Sequence, residues 1–223
     1  LAVLNCKCMG VILQSLNATL SNQVADLLKL PITTDLDSRL IEPIVNQNIN
    51  NSKQDWDAHE TSWDFQRSEL LSIDEQTYIY NINWQIEKHF RETEEQICID
   101  PAAPQFDSLG WRIDQYKQKW ERMFTQLHEN EEELNRQFIE IYGLQDELTP
   151  EVSLDEITIL QQGEIKIEDN EIKWNDDVLM KQLISYAIGV WMGRYRLDKP
   201  GLHIAHPSPT EEEIAPYTYN GAP

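Results

Sequence analysis

The sequence predicts a mainly α-helical protein: a helical module with a long antiparallel helix pair, a small β-hairpin near residues 157–174 and a buried helix near residues 176–195. Three observations predict it. Apolar residues recur at helical spacing along two long stretches, first Ile79, Ile82, Ile86 and Phe90, then Ile113, Tyr116, Trp120, Met123, Leu127, Leu134, Phe138 and Ile141. Between residues 157 and 174, isoleucines alternate with polar residues around Gly163 and the turn pair Asp169-Asn170. Residues 184–202 hold the longest apolar run of the chain, which ends in a positive cluster and a Pro-Gly turn.

Along the chain, Leu1, Leu4, Cys8, Val11, Ile12 and Leu16 mark a short helix with Gly10 as its weak point. Residues 17–24 read as a turn leading into a short extended piece, and Pro31 sets a boundary. Thr33, Thr34 and Asp35 are candidate N-caps for a helix through Leu36, Leu40, Ile41, Ile44 and Val45, which Pro43 splits into two short turns. Residues 46–69 form a polar connector whose Trp56, Trp63 and Phe65 imply packing. His59 lies there beside acids, without a nucleophile or a completed metal set, and reads as a surface histidine.

The first of the two long helices stops at Pro101 and Pro104. The second is interrupted at Asn130-Glu131 and is either one long helix or two, with Gly143 to end it. Asn175 or Asp176 caps the helix that follows the hairpin, and Asp176 and Asp177 lie at its positive end. Gly189 and Gly193 leave bare backbone for a close approach, at about 1 kcal/mol of helix propensity each. Lys199-Pro200-Gly201-Leu202 suits a type II turn. The expected organisation is residues 1–45 as one region, 46–74 as connector, 75–202 as helical module and 203–223 as tail.

A chain of 223 residues with a formal charge of -21 is ample for a core and lacks the overall basic character of a free-standing nucleic-acid binder. The charge is uneven. Between residues 129 and 180 the bases are only Arg136, Lys166 and Lys173, whereas residues 181–210 carry Lys181, Arg194, Arg196 and Lys199 against Asp198 alone. Such a positive island either meets a phosphate or pairs with nearby acids, and internal pairing is the favoured reading.

The three cysteines offer no disulfide framework and fit a reducing cytoplasm. Cys6-Lys7-Cys8 could in principle chelate a soft metal, yet no second cluster follows, and no metal site is assigned. No apolar run reaches the roughly 18 residues of a membrane span. The opening, Leu1-Ala2-Val3-Leu4-Asn5, is not a signal peptide and looks like a cut from a longer protein. No G-x-G, Gly-Lys-Ser/Thr, G-x-S-x-G or H-E-x-x-H motif occurs, so no cofactor-binding or catalytic residue is assigned and the segment by itself is expected to be non-catalytic.

Residues 183–202, LISYAIGVWMGRYRLDKPGL, resemble the stretch ISYAVGCMFGRYSLDKPGL of the adenine-specific DNA methyltransferases of BREX phage-defence systems, the PglX family. Residues 61–65, 133–152 and 157–160 are similar to the same family in the same order, and residues 1–32 to the end of a target-recognition region, with Ala18, Asn22 and Ala25 departing from the family pattern. The resemblance implies a parent enzyme that uses S-adenosylmethionine to methylate the N6 amino group of adenine in double-stranded DNA. It also implies that the family's Asn-Pro-Pro-Tyr motif and cofactor loop lie upstream, since no position here matches either. The segment would then support target recognition, with Arg194, Arg196 and Lys199 as DNA-contact candidates. The alternative is a scaffold that docks other defence-system subunits through its acidic helical pair.

Overall fold

The computed structural model describes residues 2–16, 24–33, 38–97, 108–203 and 210–215. Helices α1 (Ala2–Asn5), α2 (Lys7–Leu16), α3 (Val24–Leu27), α4 (Ser38–Asp57), α5 (Glu69–Ser72), α6 (Glu75–Thr93) and α7 (Leu109–Tyr142) precede a 3-10 turn at Leu154–Glu156. Strands β1 (Ile165–Glu168) and β2 (Glu171–Trp174), then helices α8 (Asp176–Trp191) and α9 (Glu211–Ile214), complete the described elements. The expected mainly helical architecture with one small hairpin is observed. The candidate caps Thr34 and Asp35, the turn at residues 17–23 and the proline stop at 101–104 lie outside the described residues.

Two compact units form, one from Leu1–Ser52 with Phe124–Thr158, the other from Lys53–Met123 with Ile159–Pro223. Helix α4, most of which belongs to the first unit, is a single helix of 20 residues and not two turns. Pro43 removes only the bond to the carbonyl four residues back, and the apolar face carrying Ile41, Ile44 and Val45 outweighs that loss by joining the core of Cys8, Met9, Phe138 and Ile139. The first half of the stretch that reads as a polar connector is the solvated end of this helix.

The second half of α7 runs antiparallel to α4. The Tyr142 hydroxyl donates to the Pro31 carbonyl at 2.7 Å, while further back along α7 Asn130 Nδ2 donates to Asn48 Oδ1 at 2.7 Å and Gln47 Oε1 at 3.1 Å. The polar break at Asn130 is therefore a buried residue with its hydrogen bonds made, and α7 continues through it as one helix of 34 residues, about 51 Å long. Gly143, at φ 67°, then closes α7 with paired bonds, Leu144 N–H to the Ile139 carbonyl and Gly143 N–H to the Glu140 carbonyl.

In the second unit, α6 and the first half of α7 are neighbours, but they run in the same sense. Contacts step forward along both helices: the Tyr78 and Trp111 rings lie 5.8 Å apart, Asn81 Nδ2 donates to the Gln115 carbonyl at 3.0 Å, and Lys88 Nζ lies 2.9 Å from Glu121 Oε1. The expected antiparallel pairing of these two helices is thus corrected. Fifteen residues separate Thr93 from Leu109, enough to reach about 50 Å at about 3.3 Å per residue and to return along the roughly 28 Å of α6, so the sequence does not force the chain to reverse. The inner face of α6 also differs, with Tyr78, Asn81 and Ile82 buried while Ile79 and Phe90 are half exposed.

The hairpin is shorter than the isoleucine alternation suggests. Ile165 pairs with Trp174 and Ile167 with Ile172, joined by Asp169 and Asn170 at φ 54° and 61°, the type I′ geometry that this turn pair favours. Ile157 and Ile159 lie outside it and are fully buried. Asn170→Gly is expected to raise stability by about 0.5 kcal/mol because glycine adopts positive φ without strain, and Asn170→Val to lower it by about 1 kcal/mol or more; urea unfolding of both variants checks the pair.

Candidate functional site

The longest apolar run becomes α8, and only one face of it is buried. Leu179, Tyr186 and Gly189 point inward, whereas Ile184, Ile188, Trp191 and Met192 are exposed, so the expected buried helix is corrected to a half-buried one ending at Trp191. Gly193, at φ 76°, stops it: the Gly193 N–H bonds the Val190 carbonyl at 3.1 Å and the Arg194 N–H the Gly189 carbonyl at 2.7 Å. The two glycines thus have separate tasks. Gly193 supplies the left-handed turn, and Gly189 makes room for Tyr195, since a Cβ there would lie 2.6 and 2.7 Å from two ring carbons. Tyr195 stacks on Tyr186 at 5.1 Å and meets the edge of Phe65 at 5.4 Å. Burial and the bond to Glu60 push its phenol up to about 12.

The candidate cations follow this cluster, and each has an acid beside it. Arg194 Nη1 lies 4.0 Å from Glu60 Oε1, Arg196 forms a two-pronged pair with Asp198 at 2.7 and 2.5 Å, and Lys199 Nζ reaches Glu213 Oε1 at 2.8 Å. The Arg196 guanidinium holds the Asp198 carboxyl below its usual range. The Pro-Gly turn is observed with Gly201 at φ 84° and its N–H bonded to the Gln66 carbonyl at 2.8 Å. The His203 N–H returns to the Arg194 carbonyl at 2.8 Å. Arg194, Arg196 and Lys199 are therefore held on one short, internally bonded stretch after α8.

A second constellation corrects the reading of His59, which is buried. Its Nε2 lies 2.6 Å from Glu164 Oε1 and its Nδ1 2.6 Å from the Asp55 carbonyl. Gln182 Nε2 donates to the same Glu164 oxygen at 2.7 Å, and the Leu160 N–H to Asp55 Oδ1 at 3.0 Å. Both ring nitrogens face acceptors, one of them a carbonyl that can only accept, an arrangement that favours the protonated imidazole beside an ionised Glu164. Burial alone would lower the His59 pKa, but Glu164 outweighs it and the pKa is raised. Burial alone would raise Glu164, but His59 and Gln182 lower it.

The pair adjoins a cavity of about 290 Å³ lined by His59, Phe65, Tyr116, Leu179, Gln182 and Tyr186 among others. The turn after α4 presents His59, the turn before β1 presents Glu164, and α8 presents Gln182. Two sequence signals point to it: Asp55 and His59 are one helical turn apart, and Glu164 sits at the head of an apolar strand. Cys6 and Cys8 are buried in the core of the first unit, where Cys6 Sγ donates to the Val3 carbonyl at 3.0 Å and burial raises both thiols. Among the described residues no group of three metal-ligating side chains is found, and no helix is long and apolar enough to cross a membrane.

No family model matches the sequence. Over 212 residues, 92% of its length, the chain is 31% identical to the adenine-specific methyltransferase PglX of Lacticaseibacillus casei (strain Zhang). The chain is a homologue of a segment of these methyltransferases. It is also 25% identical over 209 residues to the adenine-specific methyltransferase BrxX of Escherichia coli O9:H4 (strain HS), and it spans 14% of the length of each relative. The homology to PglX and BrxX takes in nearly all of the chain, both of its compact units included, and agrees with the BREX resemblance carried by residues 183–202.

Proposed function

We propose that the chain is a non-catalytic segment of a site-specific adenine-N6 DNA methyltransferase of BREX-type phage defence, and that it supports recognition of the DNA target. The observation that carries this reading is homology to PglX over 92% of a sequence that contains neither an Asn-Pro-Pro-Tyr motif nor a glycine-rich cofactor loop. The parent enzyme, acting on cytoplasmic DNA, would supply S-adenosylmethionine binding and the pocket for a flipped adenine. This segment would supply Arg194, Arg196 and Lys199 as phosphate contacts. Their present acid partners do not preclude that role, because surface ion pairs contribute little and exchange readily for a phosphate.

Reversal of these three charges to glutamate in the full-length enzyme is expected to weaken DNA binding equally across sequences. The slope of log affinity against log salt should flatten by about 0.9 for each phosphate that is no longer neutralised. Unchanged affinity and slope would refute the role. A second reading, a scaffold for other defence-system subunits, is favoured by the net charge of -21 and by Glu129, Glu131, Glu132 and Glu133 on α7; loss of co-purifying subunits when Glu129 and Glu133 are replaced by lysine, with DNA affinity intact, would support it instead.

A further inference from the structure

Helix α8 carries an uncovered apolar stripe. Ile184, Ile188, Trp191 and Met192 recur at helical spacing and are 53%, 45%, 83% and 73% exposed. Beside Ile184, Ile188 and Met192 runs a groove of about 350 Å³ that Lys181, Ser185, Gly189 and Arg194 also line, with Trp191 flanking it. Tryptophan, methionine, isoleucine and arginine without a carboxylate is the composition of a protein interface core, from which acids are depleted. A phosphate backbone would gain nothing from four large apolar side chains, so the stripe is suited to a protein surface and not to DNA.

The charge on the lining selects the occupant further. Lys181 places a positive charge on the groove in a chain whose formal charge is -21, no carboxylate lines it, and Arg194 at its far end is already paired with Glu60 at 4.0 Å. An apolar helix with Glu or Asp on its flanks complements both features. So shallow a groove holds a free helix weakly, whereas a helix tethered on the same polypeptide meets it at millimolar effective concentration. The relatives are long enough to supply one, since the chain spans only 14% of each.

We propose that this groove docks an acidic-flanked amphipathic helix supplied by the remainder of the methyltransferase polypeptide. The proposal rests on the reading of the chain as a segment of that enzyme. The test places the photo-crosslinker p-benzoylphenylalanine at Trp191 of the full-length protein, an aromatic-for-aromatic exchange at an exposed position that leaves the fold intact. The expected product is a crosslink within one polypeptide, to a peptide outside the 223 residues with apolar residues three or four apart and acids beside them. Its yield should fall several-fold with Lys181→Glu. Crosslinks confined to DNA, to another subunit or to a second copy overturn the proposal, as does the absence of any crosslink. An intact mass no larger than the 223 residues would overturn the segment reading as well, whereas a longer protein without the crosslink overturns only the docking.

Discussion

His59→Ala and Glu164→Ala are each expected to destabilise the second unit by about 3–5 kcal/mol, the cost of leaving one member of a buried ion pair without the other. Both side chains are almost inaccessible, at 4% and 0%, and their atoms lie 2.6 Å apart, so removing one leaves a buried polar partner without its counter-charge. Replacing both together with apolar residues of similar volume is expected to cost much less than the sum, because no orphaned charge remains. Urea unfolding of the two single variants and the double variant measures the coupling; additive losses would show that the pair does not act as a unit.

The same pair gives the stability a pH profile with two limbs. The folded pKa of His59 is raised above its usual 6.5, so its contribution is complete below that value and is lost as pH rises through the folded pKa. The folded pKa of Glu164 is lowered below its usual 4.5, so its contribution is present above that value and is lost as pH falls through the folded pKa. The pair therefore stabilises most between about pH 4.5 and 6.5. Asp55, raised by burial, opposes Glu164 on the acid limb. The difference between wild type and Glu164→Gln across pH isolates the pair, and a difference that is flat from pH 4 to 9 would contradict it.

Gly189→Ala is the second large expected effect, at about 1–3 kcal/mol of destabilisation despite the better helix propensity of alanine. The added methyl would stand 2.6–2.7 Å from the Tyr195 ring, which is itself pinned between Tyr186 and Phe65 and cannot swing away. Tyr195→Leu in the same chain removes the planar ring from the path of the methyl, so the double variant should lose less than the two single variants together. Thermal unfolding followed by near-ultraviolet circular dichroism reports both the stability and the tyrosine packing. A neutral or stabilising Gly189→Ala would show that the close approach is not required.

Element types followed from local pattern. The type I′ turn at Asp169-Asn170, the glycine stop at Gly143 and the Pro-Gly turn at 200–201 are each set by the φ preferences of one or two residues, which the sequence states directly. Periodicity located the helices but misjudged which of their faces are covered. Ile79 and Phe90 on α6 and Ile184 and Ile188 on α8 keep helical spacing while half exposed. Spacing identifies a stripe, and only a neighbouring element decides whether that stripe is covered.

The sequence by itself determined the helical class, the hairpin and its turn, the close-packing glycine and the kinship with adenine-specific methyltransferases, all of which reside in short runs of residues. Tertiary structure alone decided that α4 is the antiparallel partner of α7 in the first unit, that α6 runs alongside α7 in the same sense, and that a histidine in a polar stretch is buried against an acid 105 positions away. The physical reason is the range of the forces involved. Backbone preferences and periodicity act over a few residues, whereas pairing and burial depend on which distant surfaces the chain brings together; the spacing of Asp55 and His59 and the place of Glu164 before an apolar strand mark each half of the pair, but not that the two halves meet.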